Sequence, residues 1–381
     1  MAKRTVETAI PITVDRNLPA AAFGEMAKTL QSSGVVDYML MWDQLTSWIA
    51  PSLWTPENTP LAKVIPDIDS YPDWNVMCAY GAALAPGLGT AISCDAIRRG
   101  PAELTQTMLT VANITQGNSI YHVGAGELKQ CRPFGWKRSH GVSRLEDFYR
   151  IFRAFWNSDK PIDFEGNHTK LDQAWLGGAK HYKPRIFGLG GGPKIIDLAT
   201  SYADGFGTMV PFVWTSPEHT AQQITNIKRQ LESKGRDPEQ FGFGIWVAAL
   251  LHEDESVIDR AFANPITAWQ TAIMGRITQS DWEKEGIEPP MPRDWHYALK
   301  MLPVKIGPAE VQQMISRVTR TMSEKSWIYG TPKKVAADLR AYVDAGATWV
   351  VVIDMLPCLL EAAESMTAVQ RSIEVCRLLK A

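Results

Sequence analysis

Two carboxylates and a run of glycines are the groups in this chain best placed to do chemistry. Asp43, in Trp42-Asp43-Gln44, and Glu127, in Gly124-Ala125-Gly126-Glu127, each close a short apolar stretch. A carboxyl confined at such a point can have its proton affinity tuned for general acid–base work. Each also has a plainer reading: Asp43 suits a helix or turn cap, and Glu127 suits a solvated loop. Gly190-Gly191-Gly192-Pro193 follows a third apolar stretch and opens a helix. Without Cβ atoms its N–H groups can approach an anion, and the helix dipole favours a phosphate there. The run equally fits a turn needing positive φ, and it is neither GxGxxG nor a P-loop. The seven histidines show no metal-ligand spacing, and no H-E-x-x-H or C-x-x-C occurs, so no metal is expected. The absence of G-x-S-x-G argues against a serine hydrolase.

These groups are positioned by an alternation of strands and helices. Stretches near residues 6, 36, 88, 119, 184, 205, 241 and 349 read as eight strands, each followed sooner or later by a helical pattern. The first is Val6–Val14. Pro101–Thr115 reads as a helix with proline in its first turn, and Ser143–Trp156 as one whose Ser143 and Glu146 have capping-box spacing. Eight βα units predict an α/β fold, a (β/α)8 barrel, with the doubly wound sheet as runner-up. Residues 1–381 read as one barrel domain with insertions near 43–71, 127–141, 161–183 and 264–325. A barrel carries its active site at the C-terminal strand ends. Asp43, Ser93-Cys94-Asp95, Glu127 and the glycine run all fall there.

Composition excludes several classes. Hydrophobic residues at 45% and charged residues at 21% rule out disorder, collagen and a disulfide scaffold. A net charge of −2 offers no footprint for nucleic acid or an anionic membrane. Five scattered cysteines read as reduced thiols in a cytoplasmic protein. Residues 1–16 lack an apolar h-region, so no signal peptide is expected, and no apolar stretch is long enough to span a membrane. Fourteen tryptophans are many for this length and suggest an aromatic-lined site.

Further short motifs accompany these: Trp42-Asp43-Gln44-Leu45 with Trp48, Gly89-Thr90-Ala91-Ile92, Arg98-Arg99-Gly100-Pro101-Ala102, Gly191-Gly192-Pro193 and Ala203-Asp204-Gly205. In this order the set resembles the bacterial luciferase-like superfamily over nearly the whole chain. It is most similar to the branch using the deazaflavin coenzyme F420, which includes F420-dependent dehydrogenases and the phthiodiolone ketoreductase. The resemblance implies a luciferase-type (β/α)8 barrel with the deazaflavin over a bulge after strand 3. It places a non-proline cis peptide at Ala91–Ile92, under the ring. Asp43, Ala91, Ile92, Cys94, Ala125, Gly126, Gln130, Gly191, Gly192, Lys194 and Ile195 match cofactor-contact positions. Glu127 matches the acid/base carboxylate, and Trp48 the tryptophan beside the reacting carbon. Gln44 stands where the dehydrogenases have a proton-donating histidine. An amide can hold a carbonyl oxygen but cannot deliver a proton near neutral pH.

The expected activity is hydride transfer between F420 and a carbonyl or alcohol carbon, with Glu127, Gln44 and Trp48 as catalytic residues. The expected partners are a small apolar substrate and a second copy of the chain in a homodimer, with no nucleic acid. Three alternatives stay open: an FMN-dependent monooxygenase on the same barrel, an F420-dependent reductase of a C=C or C=N bond, and a non-catalytic deazaflavin-binding protein.

Overall fold

Strands covered on both faces read as continuous apolar runs, and such runs recur through this chain. The computed structural model describes residues 6–13 and 15–381. Val14, the end of the first predicted strand, and residues 1–5 lie outside them. Eight parallel strands form a closed ring: β1 (Glu7–Pro11), β2 (Tyr38–Trp42), β3 (Gly89–Asp95), β4 (Ser119–Gly124), β5 (Arg185–Leu189), β6 (Gly205–Val210), β7 (Gly242–Leu251) and β8 (Trp349–Asp354). Each pairs with the next, and β8 pairs back onto β1 through Glu7↔Trp349. That last pairing decides for the barrel over the doubly wound sheet, which would leave two open edges. The eight strand positions read from the sequence are those of the ring.

Alternation along each strand sorts its side chains into two layers. Met39, Met41, Ile92, Tyr121, Val123, Val350 and Val352 point outward and are buried beneath the helices. Ala9, Leu40, Ala91, Ile120, Phe187, Trp246, Trp349 and Val351 point inward and fill the ring. His122 completes this plug. Its ring lies 4.7 Å from Trp349 and 5.1 Å from Trp246, and neither nitrogen has a hydrogen-bond partner. Burial pulls its pKa down to about 3, so it packs as a neutral aromatic. Gly207 makes the room: a Cβ there would sit 2.7 Å from His122 Nδ1.

The outer shell is formed by α1 (Ala20–Ser32), α2 (Trp74–Leu84), α3 (Pro101–Ile114), α4 (Gly141–Asn157), α5 (Pro193–Tyr202), α6 (Pro217–Ser233), α7 (Pro332–Asp344) and α8 (Ala362–Lys380). One local expectation is corrected. α4 begins at Gly141, ahead of Ser143, so Ser143 makes no capping box with Glu146. Its hydroxyl instead donates to the His140 carbonyl at 3.1 Å and meets the His168 ring at 2.7 Å. The expected insertion near 161–183 contains a hairpin, Ile162–Glu165 with Lys170–Ala174, whose turn docks on Asp147 of α4.

The segments after β2, β4 and β7 interlock over one end of the ring. Trp269 Nε1 donates to the Trp48 carbonyl at 2.9 Å, and Asn264 donates to the Asn58 carbonyl at 2.7 Å. A separate apolar cluster including Ile49, Leu53, Phe212, Trp269, Ile273, Met301 and Leu356 holds this roof together. All five cysteines are free. No helix among the described residues is long and apolar enough to cross a membrane.

Candidate active site

The last inward-facing position of several strands forms the floor of the mouth. Pro11, Trp42, Ser93, Leu189, Met209 and Ile353 are all half-buried, whereas the layer beneath them is fully buried. The mouth therefore presents an open, mostly apolar surface with one hydroxyl, that of Ser93. Met209 also touches the roof cluster, whose half-buried members include Trp48, Ile277, Trp295, Met355 and Leu359.

On the rim after β2, Asp43 is held by two arginines. Its carboxylate lies 3.4 Å from Arg98 and 3.3 Å from Arg99, and its carbonyl also accepts from Arg98. Arg98, only 6% exposed, pairs in addition with Asp95, while Arg99 reaches Asp73 at 2.9 Å. Asp95 Oδ1 accepts the Ile97 and Arg98 amides. This buried network anchors the turn that carries Gln44. The Gln44 side chain is half-buried and makes no hydrogen bond to the described residues, so its amide is available to a ligand. The next two residues are clamped by Gln130, whose Oε1 accepts from the Leu45 amide at 2.7 Å and whose Nε2 donates to the Thr46 carbonyl at 2.8 Å.

After β4 the chain turns at Gly126, with φ of +78°. A Cβ there would lie 2.8 Å from Ile97, so space and conformation both require glycine. The turn delivers Glu127 to the rim. Glu127 Oε2 lies 3.0 Å from Lys129 Nζ and accepts from the Tyr297 hydroxyl at 3.4 Å. Burial raises the pKa of Tyr297 well above the ordinary phenol range, so it is a neutral donor.

After β5 the glycine run leads into α5 with Gly192 at its N-cap, no side-chain cap and Pro193 in the first turn. Gly191, Gly192 and Lys194 are exposed, and a Cβ on Gly191 would strike Val213 at 2.5 Å. An uncapped helix end with exposed amides beside an apolar mouth suits a flat ring system carrying a phosphate tail. A flavin or a deazaflavin meets that description.

The expected site residues thus divide. Glu127, Gln44, Trp48 and Gly126 stand around the mouth, with Gly191, Gly192 and Lys194 at the α5 terminus, whereas Ala125 is buried with the outward-facing core. Asp43 and Gln130 reach the rim but spend their polar atoms on the protein. Ile195 is buried under α5. Ala91 faces inward one layer below the floor, and Ile92 and Cys94 face outward toward the helices. Burial pushes the Cys94 thiol up, and Ser93 takes the place at the mouth. Ala91–Ile92 is not a cis peptide; the cis bond among the described residues is Val210–Pro211. Within β3 both ladders run in unbroken register, Tyr38↔Gly89 to Trp42↔Ser93 and Thr90↔Ser119 to Asp95↔Gly124. Sequence reading missed Arg98 as the keystone of the rim, although Asp95 and Arg98 at i,i+3 were a signal. It also missed Lys129 and Tyr297; nothing local marks a tyrosine 170 residues away from its partner.

A cavity of about 250 Å³ lined by Tyr149, Arg153, Trp156, Lys183, Tyr202 and Asp204 lies on the flank of the ring, between α4 and α5, apart from these residues. Among the described residues no three His, Cys, Asp or Glu side chains gather as a metal site.

A closed parallel barrel with its polar groups at a roofed C-terminal mouth is the arrangement in which (β/α)8 enzymes carry their active sites. The luciferase-like monooxygenase family matches residues 52–348, and the chain belongs to that family. It is similar to the phthiodiolone/phenolphthiodiolone dimycocerosates ketoreductase of Mycobacterium kansasii, with 26% identity over 319 residues, 82% of this chain and 85% of that protein. It is also similar to the F420-dependent glucose-6-phosphate dehydrogenase of Kineococcus radiotolerans, with 22% identity over 69% of this chain and 71% of that one. Its fold matches the structure of an F420-dependent secondary alcohol dehydrogenase in complex with an F420-acetone adduct. The TM-score is 0.71 at 16% identity, covering 98% of this chain and 99% of that one.

Proposed function

We propose that this chain is an F420-dependent oxidoreductase that moves a hydride between the deazaflavin and a carbonyl or alcohol carbon of an apolar substrate. The observation that carries the reading is Glu127 at the rim of an apolar, half-open mouth, following β4, which pairs with the β5 strand that leads into the uncapped end of α5. The F420-dependent glucose-6-phosphate dehydrogenase among its relatives supports deazaflavin over FMN, and the ketoreductase supports a carbonyl substrate. Bound F420 would supply hydride chemistry at its ring carbon. The α5 amides would hold the phosphate, and Trp42, Leu189, Met209 and Ile353 would bear the ring. Gln44 would hold the substrate oxygen through its free amide, and Trp48 would flank the reacting carbon. Glu127 would take up or give the proton. The roof would exclude water and favour apolar substrates through Trp295, Ile277 and Met355.

Titration of the protein with F420 and with FMN tests this, followed by assay of reduced F420 against ketones, enones and imines. The expected result is F420 affinity at least about tenfold tighter, or about 1.4 kcal/mol, and turnover of ketones. Tighter FMN binding would return the chain to monooxygenase chemistry. Turnover confined to C=C or C=N substrates would refute the ketoreductase assignment and leave the cofactor intact.

A further inference from the structure

Lys129 follows Glu127 by two residues, on the one-turn helix Leu128–Cys131. At 1% exposed it is the one fully buried lysine among the described residues. Its Nζ is 3.0 Å from Glu127 Oε2 and donates to the Thr46 carbonyl at 3.0 Å. Tyr297, a member of the roof cluster, donates to the same Oε2. Nothing among the described residues bonds Oε1, and the Glu127 side chain is 32% exposed. Burial pulls the Lys129 pKa down, and Glu127 pulls it back up. Withdrawing an ammonium from water is expensive, and an apolar side chain of similar volume would fill the space without that cost. What the ammonium adds is a fixed positive charge against one oxygen of the proton-handling carboxylate.

We propose that Lys129, seconded by Tyr297, is a positioning residue of the active site: the two hold Oε2, so that Glu127 offers Oε1 to the substrate. This rests on the reading of Glu127 as the proton-handling group. In alcohol oxidation Oε1 would take the substrate O–H proton while bound oxidised F420 would supply the hydride acceptor, leaving a carbonyl and a protonated Glu127. Carbonyl reduction runs the same bonds backwards and requires Glu127 to be protonated first. Other charged and titratable groups are within electrostatic reach of the pair: Asp69 from the segment after β2, Arg98 from the segment after β3 and Arg138 from the segment after β4. Tyr71 lies within reach of Tyr297.

Lys129→Met tests the role. Methionine keeps the packed stem, and the Thr46 carbonyl retains its bond from Gln130, so the fold should hold. The first readout is the carboxyl ¹³C chemical shift of Glu127 in glutamate-labelled protein without cofactor at one fixed pH, with Glu127→Gln to assign the resonance. Removing the ammonium from Oε2 should displace and broaden that resonance as the side chain leaves its single orientation. Tyr297→Phe should displace it by less. The second readout is kinetic: kcat of Lys129→Met should fall at least about tenfold with KM within a few-fold. A Glu127 resonance in Lys129→Met superimposable on the parent would overturn the proposal, and so would an unmoved resonance in Tyr297→Phe if Lys129→Met fails to fold. The spectrum needs no turnover. A displaced resonance in a protein inactive with F420 would therefore overturn the proposed function and leave the Lys129 role standing.

Discussion

Arg98→Met should be among the most damaging single changes near the mouth, and the size of the effect can be worked out from what each carboxylate keeps. Arg98 is buried between Asp43 and Asp95, which are themselves buried. Methionine fills most of the space but removes the guanidinium. Asp43 still has Arg99 at 3.3 Å. Asp95 keeps the Ile97 and Arg98 amides at 2.8 and 3.0 Å on Oδ1 but loses its partner on Oδ2. Breaking a buried ion pair from one side costs roughly 3–5 kcal/mol. The surviving bonds place this case at the lower end, near about 3 kcal/mol. The adjacent Arg99→Gln should cost under about 1 kcal/mol, because Arg99 is 29% exposed, its partner Asp73 is 46% exposed, and Asp43 keeps Arg98. Urea unfolding followed by tryptophan fluorescence measures both. The expected outcome is a lower midpoint with unchanged slope for Arg98→Met, and recovery of at least half the loss in Arg98→Met/Asp95→Asn, where the stranded charge is gone. A loss no greater than that of Arg99→Gln, or no recovery in the double variant, would refute the assignment of Arg98 as keystone.

Other outcomes follow from the same geometry. Glu127→Gln keeps shape and removes the proton, so turnover should fall about 10²–10⁴-fold with F420 affinity little changed; turnover within a few-fold of the parent excludes Glu127 as the proton-handling group. Gln44→Ala should mainly raise KM, and Gln44→His should add a limb near pH 6.5 to the pH–rate profile; a profile unchanged by histidine would place Gln44 away from the reacting oxygen. Asp354 closes β8 with its Oδ2 shielded and unpartnered, and burial pushes its pKa up to about 7. The native state therefore binds a proton that the unfolded chain, with an Asp near about 3.9, has released. Stability should fall as pH rises between these values, by at most a few kcal/mol. Asp354→Asn should flatten that slope, and an identical slope in urea midpoints at pH 5 and 7.5 would show the group is not buried in solution.

The sequence by itself determined the strands and their order, because a strand buried on both faces needs a local apolar run whatever its neighbours. It also marked where chemistry should stand, since glycine runs and carboxylates at strand ends are local features, and its motifs carried the family. Which atom faces the mouth was decided only by the assembled ring. Ser93 and Cys94 differ by one position, and with a period of two that difference puts one in the mouth and the other under the helices. Asp43 read as a free ligand group until folding set Arg98 and Arg99 against it, more than fifty residues on. The roof was equally invisible: Trp269 meets Trp48 across 221 residues, and Tyr297 meets Glu127 across 170. Contacts that distant leave no periodic trace, because each partner's local sequence need satisfy only its own helix or loop. Glu127 was legible in the chain as a candidate, and the cation and phenol that meet its Oε2 come together only in three dimensions.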